Sequence, residues 1–110
     1  MPSPPLSDPL AAYCLSFPGA QLDHPWGLPA FKVSGKMFAI WMESGEFMLK
    51  SLPAQQSVLI QDPAIRVAPY LGKSGWIAVE YSPDSEGMLE DLIAESYRLV
   101  RLQLPVKRRP

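Results

Sequence analysis

The chain has 110 residues, 47% of them hydrophobic and 19% charged, with 11 acidic and 10 basic side chains and a formal charge of −1. That length holds one core rather than two, and the apolar share excludes a disordered chain. The near-neutral balance excludes the strongly basic profile of a dedicated nucleic-acid protein, so DNA contact requires a local basic face offset by acids elsewhere. Met1 to Leu6, with Pro2, Pro4 and Pro5, reads as an extended tail. Ser7 stands at a helix N-cap position with Asp8 and Pro9 in the first turn. Leu10, Tyr13, Cys14 and Phe17 then fall on one stripe, which predicts a helix over 8–17 that Pro18-Gly19 stops.

Asp23-His24-Pro25-Trp26-Gly27 reads as a loop fixed by proline and glycine. Period-two alternation around Phe31 and Val33, the apolar run 37–42, and alternation around Phe47 and Leu49 predict a three-stranded antiparallel meander over 30–50. Gly35 and Gly45 stand where its turns need positive φ. Pro53 opens a short helix to Leu59. Strands follow at 64–68 and 76–81, with 69–75 as the loop between them. Ser82-Pro83-Asp84 opens a long helix to Gln103, acidic at its start and basic at its end in the order its dipole favours. Residues 105–110 read as a loose basic tail. The expectation is a single α+β domain over 7–104. It is a two-layer sandwich in which an antiparallel sheet of five or six strands carries the terminal helices on one face.

Gly72-Lys73-Ser74 has the ending of a phosphate-binding loop. Position 67, where that motif needs glycine, is valine, and a strand follows in place of a helix, so the motif is rejected. His24 and Cys14 are single copies without a second nitrogen or sulfur ligand at a metal-binding spacing, so no metal and no cofactor is expected. Cys14 lies on the apolar stripe and reads as a small core residue; a lone cysteine also suits a reducing cytoplasm. No apolar run reaches the ~18 residues of a spanning helix and no signal-peptide order is present, so a cytoplasmic protein with no membrane partner is expected.

Alternation sends Lys32, Met48, Lys50, Trp76 and Glu80 to the sheet face away from the helices. There an exposed Trp76 among lysines could stack on a base, or it could pack on Tyr70 and cover the sheet edge. Lys36 stands at a hairpin tip. Trp26 reads as a plug at the end of the core and Trp41 as a core residue. Asp23 and His24, with Trp26 and Tyr70, outline a possible pocket. A small hydrolase or transferase centred on Asp23-His24 is the least favoured function.

The motif order Pro18-Gly19, Asp23 to Gly27, Gly35-Lys36-Met37-Phe38-Ala39, Pro69 to Trp76 and Ser96-Tyr97 resembles the MmcQ/YjbR family of small bacterial domains over about residues 10–102. The resemblance implies a fold like that of the frataxin homologue CyaY. It also implies DNA binding through two β-hairpin wings, with Lys32, Lys36 and Lys73 as contacts; alternation adds Lys50 and Trp76 as candidate nucleic-acid contacts on the same sheet face. Iron binding, which CyaY-like proteins base on an acidic first helix, is not expected, because Asp8 is the single acid of that helix. The leading expectation is a non-enzymatic module that binds DNA weakly and with strong salt sensitivity. The alternative is a protein-interaction adaptor that uses an exposed face around Trp76 and Met48.

Overall fold

Six strands form one antiparallel sheet, of order β1-β2-β3-β4-β6-β5, in a computed structural model that describes residues 6–110. They are β1 (Ala20–Asp23), β2 (Ala30–Val33), β3 (Lys36–Trp41), β4 (Glu46–Leu49), β5 (Ile65–Val67) and β6 (Ile77–Glu80). Three α-helices join them: α1 (Asp8–Leu15), α2 (Pro53–Leu59) and α3 (Glu86–Gln103). The architecture is the α+β sandwich that the sequence predicts. The meander has one strand more than expected, since Ala20–Asp23 is not loop but pairs with β2 as an edge strand. Its residues are largely exposed, so no buried face imposes a readable alternation. The extended reading of Met1 to Leu6 lies outside the described residues except at Leu6, which packs against the core.

The helix-side core joins Leu10 and Cys14 of α1 and Leu89, Ile93, Tyr97 and Val100 of α3 to the inward side chains of the strands. Phe31, Val33, Phe47, Leu49, Ile77 and Val79 all face this way, as alternation predicts. The β2–β3 turn uses Ser34 at φ 47° and Gly35 at φ 82°, the two left-handed residues that match a twisted hairpin. The register then slips: Phe31 pairs with Ala39 but Lys32 with Met37, so Phe38 is an extra, bulged residue. The bulge turns the Phe38 ring into the core, where it meets Tyr97 edge-on at 5.2 Å; Phe17 stacks on Tyr97 at 4.6 Å.

Ser96 closes the adjoining rung. Its hydroxyl donates to the Phe38 carbonyl (2.6 Å) and accepts from the Lys50 amide (2.8 Å), carrying the β3–β4 pairing one step beyond Ala39–Leu49 through a side chain. Tyr97 donates to the Pro18 carbonyl (2.6 Å). These two residues therefore fasten α3 to the sheet and to the end of α1. Ser7 makes no side-chain cap; its hydroxyl donates to Glu86, the first residue of α3.

The C-terminal segment is not loose. Val106–Arg108 form a 3-10 turn, Arg109 donates to the Leu102 and Leu104 carbonyls, and Ser34 at the hairpin tip donates to the Arg108 carbonyl (2.8 Å). Among the described residues no helix is long and apolar enough to cross a membrane.

Candidate functional site

The sheet face turned away from α1 and α3 carries a second, smaller core. Ala30, Ile40, Met48, Ala68, Trp76 and Ala78 are buried there. This corrects two expectations. Trp76 does point to that face, but it is 8% exposed, and Met48 is 7% exposed. Neither offers a surface on which a base or a partner side chain could stack. Lys50 Nζ sits 6.0 Å from the Trp76 ring centre on its own chain, a contact that further occupies the ring. Trp76 does not pack beneath Tyr70 either, because Tyr70 is fully exposed.

The loop between β5 and β6 covers Trp76, and it is held tightly. Gln56 of α2 donates to the Gly72 and Trp76 carbonyls (2.8 and 2.9 Å), and Ser51 donates to the Gly75 carbonyl. Gly75 has φ 99°, and a Cβ there would stand 2.3 Å from the Ser51 carbonyl oxygen. The glycines of Gly72-Lys73-Ser74-Gly75 thus serve backbone packing around a 3-10 turn, in line with rejection of a phosphate-binding loop.

Between this loop and the one that follows β1 lies an apolar hollow of about 640 Å³. Met37, Ile40, Met42 and Met48 line it from the strands. Leu28 and Trp26 close one side, Tyr70 and Leu71 the other. Trp26 does not plug the core as expected; it is 65% exposed at the edge of the hollow. Tyr70 holds a left-handed backbone at φ 65°, which is uncommon for any residue but glycine, asparagine or aspartate.

Of the four residues outlined as a pocket, Trp26 and Tyr70 meet at this hollow, whereas Asp23 and His24 do not line it. The Asp23 carboxylate accepts from the His24 backbone amide and from Lys32 Nζ, both at 2.7 Å, and among the described residues no hydrogen bond joins it to the imidazole. The Lys32 hydrogen bond leads in holding the Asp23 carboxyl below its ordinary range. Burial pushes the Cys14 thiol up to about 12, which leaves it a core residue and no nucleophile. Among the described residues no group of three or more His, Cys, Asp or Glu could hold a metal ion.

The charges are sorted along the strand direction. Three of the ten lysines and arginines pair with carboxylates: Lys32 with Asp23, Arg66 with Glu46, and Arg98 with Glu95. Of the other seven, Arg101 donates to an oxygen of the terminal residue Pro110 (3.0 Å) and Arg109 to two backbone carbonyls; the remaining five have no carboxylate partner among the described residues. Val67, Ile77, Leu49 and Ala39 stand on one rung across the sheet. Lys36, Lys50 and Lys73 lie in sequence just beyond that rung at one end. The Ser96 bridge aligns α3 so that Arg101 and the docked segment with Lys107 and Arg108 reach the same end. At the opposite end stand Glu43, Glu46, Glu80, Asp84 and Glu86, where Tyr81 donates to Glu86 (3.0 Å). Glu46 is buried, and its bidentate pair with Arg66 (2.8 Å twice) leads in holding its carboxyl below the usual range. Of the five residues expected to contact nucleic acid, Lys36, Lys50 and Lys73 gather at the basic end. Lys32 is engaged by Asp23, and Trp76 is covered. Sequence reading allows Lys107 and Arg108 a nonspecific contribution to anion binding from a loose tail; the Ser34 contact is what places them at this end.

A crystal structure of a protein from Pseudomonas syringae is similar to this chain, with a TM-score of 0.71 and 23% identity over 86% of this chain and 98% of that one. That likeness is one of fold. No curated protein matches the chain. The YjbR family model matches residues 15–99, from the end of α1 through most of α3, and the chain belongs to the YjbR family.

Proposed function

We propose that this protein is a non-enzymatic recognition module that binds DNA through the basic end of its sheet. The sorting of charge carries the reading. A molecule of net charge −1 gathers Lys36, Lys50, Lys73, Lys107 and Arg108, none paired with a carboxylate among the described residues, at one end, which is the local basic face that phosphate contact requires. Lys36 at the β2–β3 tip, Lys73 on the β5–β6 loop, and Lys107 and Arg108 on the docked segment are exposed and supply the phosphate contacts. The Asp23 carboxylate is engaged by Lys32 and the Cys14 thiol is buried, so neither of these two is offered here as a general base or nucleophile.

Four phosphate contacts give a slope of log affinity against log salt of about −3.6, so affinity falls about a hundredfold between about 50 and 200 mM salt. The test is an NMR titration with a short mixed-sequence duplex at low and near-physiological salt. Amide shifts at 34–38, 72–74 and 106–108 that fade with salt are expected, and Lys36→Glu with Lys73→Glu is expected to abolish them. Unchanged affinity in that double variant sinks the site. A second reading, a protein-interaction adaptor, is favoured by the apolar hollow; binding there would weaken little with salt.

A further inference from the structure

Three residues that line the hollow are close sequence neighbours of lysines at the basic end. Met37 follows Lys36 directly, Lys50 is two residues from Met48, and Lys73 is two residues from Leu71. At the edges of the hollow stand two large aromatic side chains that the fold leaves in solvent, Trp26 at 65% and Tyr70 at 101% exposure. Tyr70 keeps an aromatic ring at a left-handed position where glycine would fit without strain, on a loop that Gln56 and Ser51 fix from below. Strain kept at a solvent-exposed ring points to use of the ring rather than to packing.

We propose that the nucleic acid this protein prefers is single-stranded, with unpaired bases entering the hollow against Trp26 and Tyr70 while their phosphates run along Lys36, Lys50 and Lys73. This inference rests on the nucleic-acid reading above and narrows it. The bases of a duplex stack on one another and show only their hydrogen-bonding edges in the grooves. The hollow offers those edges almost nothing, because methionine, isoleucine, leucine and aromatic side chains line it. What it accepts is the flat apolar face of an unstacked base, and every base has one. Charge complementarity next to the hollow supplies the backbone contact that a purely apolar partner would leave unused.

The experiment compares a labelled mixed-sequence single strand of about 12 nucleotides with its duplex, by fluorescence anisotropy at one fixed low salt, for the wild type, Trp26→Ala and Tyr70→Gly. The single strand is expected to bind about tenfold tighter than the duplex. Each variant is expected to lose about tenfold for the single strand and nothing for the duplex. Single-stranded DNA is also expected to quench tryptophan emission, and Trp26→Ala should remove the quenching because Trp41 and Trp76 are buried. Tyr70→Gly relieves the left-handed backbone, so it should melt no lower than the wild type, and its lost affinity then reports the ring alone. Equal affinity for both DNA forms, unmoved by either variant, overturns the stacking inference and leaves DNA binding standing. Absence of binding to either form removes both and assigns the hollow to a protein partner.

Discussion

Ser96→Ala isolates the bridge on which the basic end depends. Ser96 is fully buried, and its hydroxyl both donates to the Phe38 carbonyl at 2.6 Å and accepts from the Lys50 amide at 2.8 Å. Removing one oxygen strands a carbonyl and an amide together, each at about 1–3 kcal/mol. A loss of about 3 kcal/mol is expected, because the carbonyl keeps a second lone pair for other donors. Against a total of about 5–15 kcal/mol that is a large share of the stability of a domain. In urea, with a slope of about 1.5 kcal/mol/M, the unfolding midpoint should fall by about 2 M. The Lys50 amide should also lose hydrogen-exchange protection before its neighbours on β4 do. A shift below about 0.5 kcal/mol, or a Lys50 amide as protected as before, would refute the bridge as the link between α3 and the sheet.

Three further outcomes concern the charges and what holds them in place. The Arg66 guanidinium lowers the carboxyl of buried Glu46, so the pair contributes at neutral pH, and that contribution fades as pH falls below the ordinary carboxyl value of 4.5. Arg66→Met should therefore cost about 1 kcal/mol at pH 7, kept small because Arg66 is 54% exposed, and should flatten the fall in stability toward acid; an unchanged acid profile would show that the pair contributes nothing. Lys107→Ala with Arg108→Ala should reduce the salt slope of DNA binding by about 1.8 without moving the melting temperature, and Ser34→Ala should weaken binding with no charge removed, by releasing the segment from the hairpin tip. Unaltered affinity in Ser34→Ala would show that the segment binds equally well undocked.

Local chemistry made most of the fold legible. Pro53 at its first position marks α2, which runs to Leu59 as expected, and the Gly35 and Gly45 turns set the meander. β1 escaped because an exposed edge strand of four residues carries no burial pattern. The two loop tryptophans show where local reading stops. Trp26, between proline and glycine, looks like a core plug and is exposed. Trp76, on a face expected to be open, is buried by a loop that folds back over the sheet. Alternation assigns a side chain to a face, but long-range loop placement decides whether that face is covered. The cations were visible one by one, yet their gathering depends on strand register, on the Ser96 bridge and on one hydroxyl at Ser34.

A nearly neutral body with cations at one pole and carboxylates at the other is an electric dipole. Such a molecule turns as it approaches a polyanion, arriving pole first before any contact forms, which raises the encounter rate without adding affinity. The same asymmetry acts between copies. With a net charge of only −1 there is little mutual repulsion, so opposite poles attract head to tail at low ionic strength. Solubility should then rise when salt is first added, reversing the usual caution that salt drives such a domain out of solution.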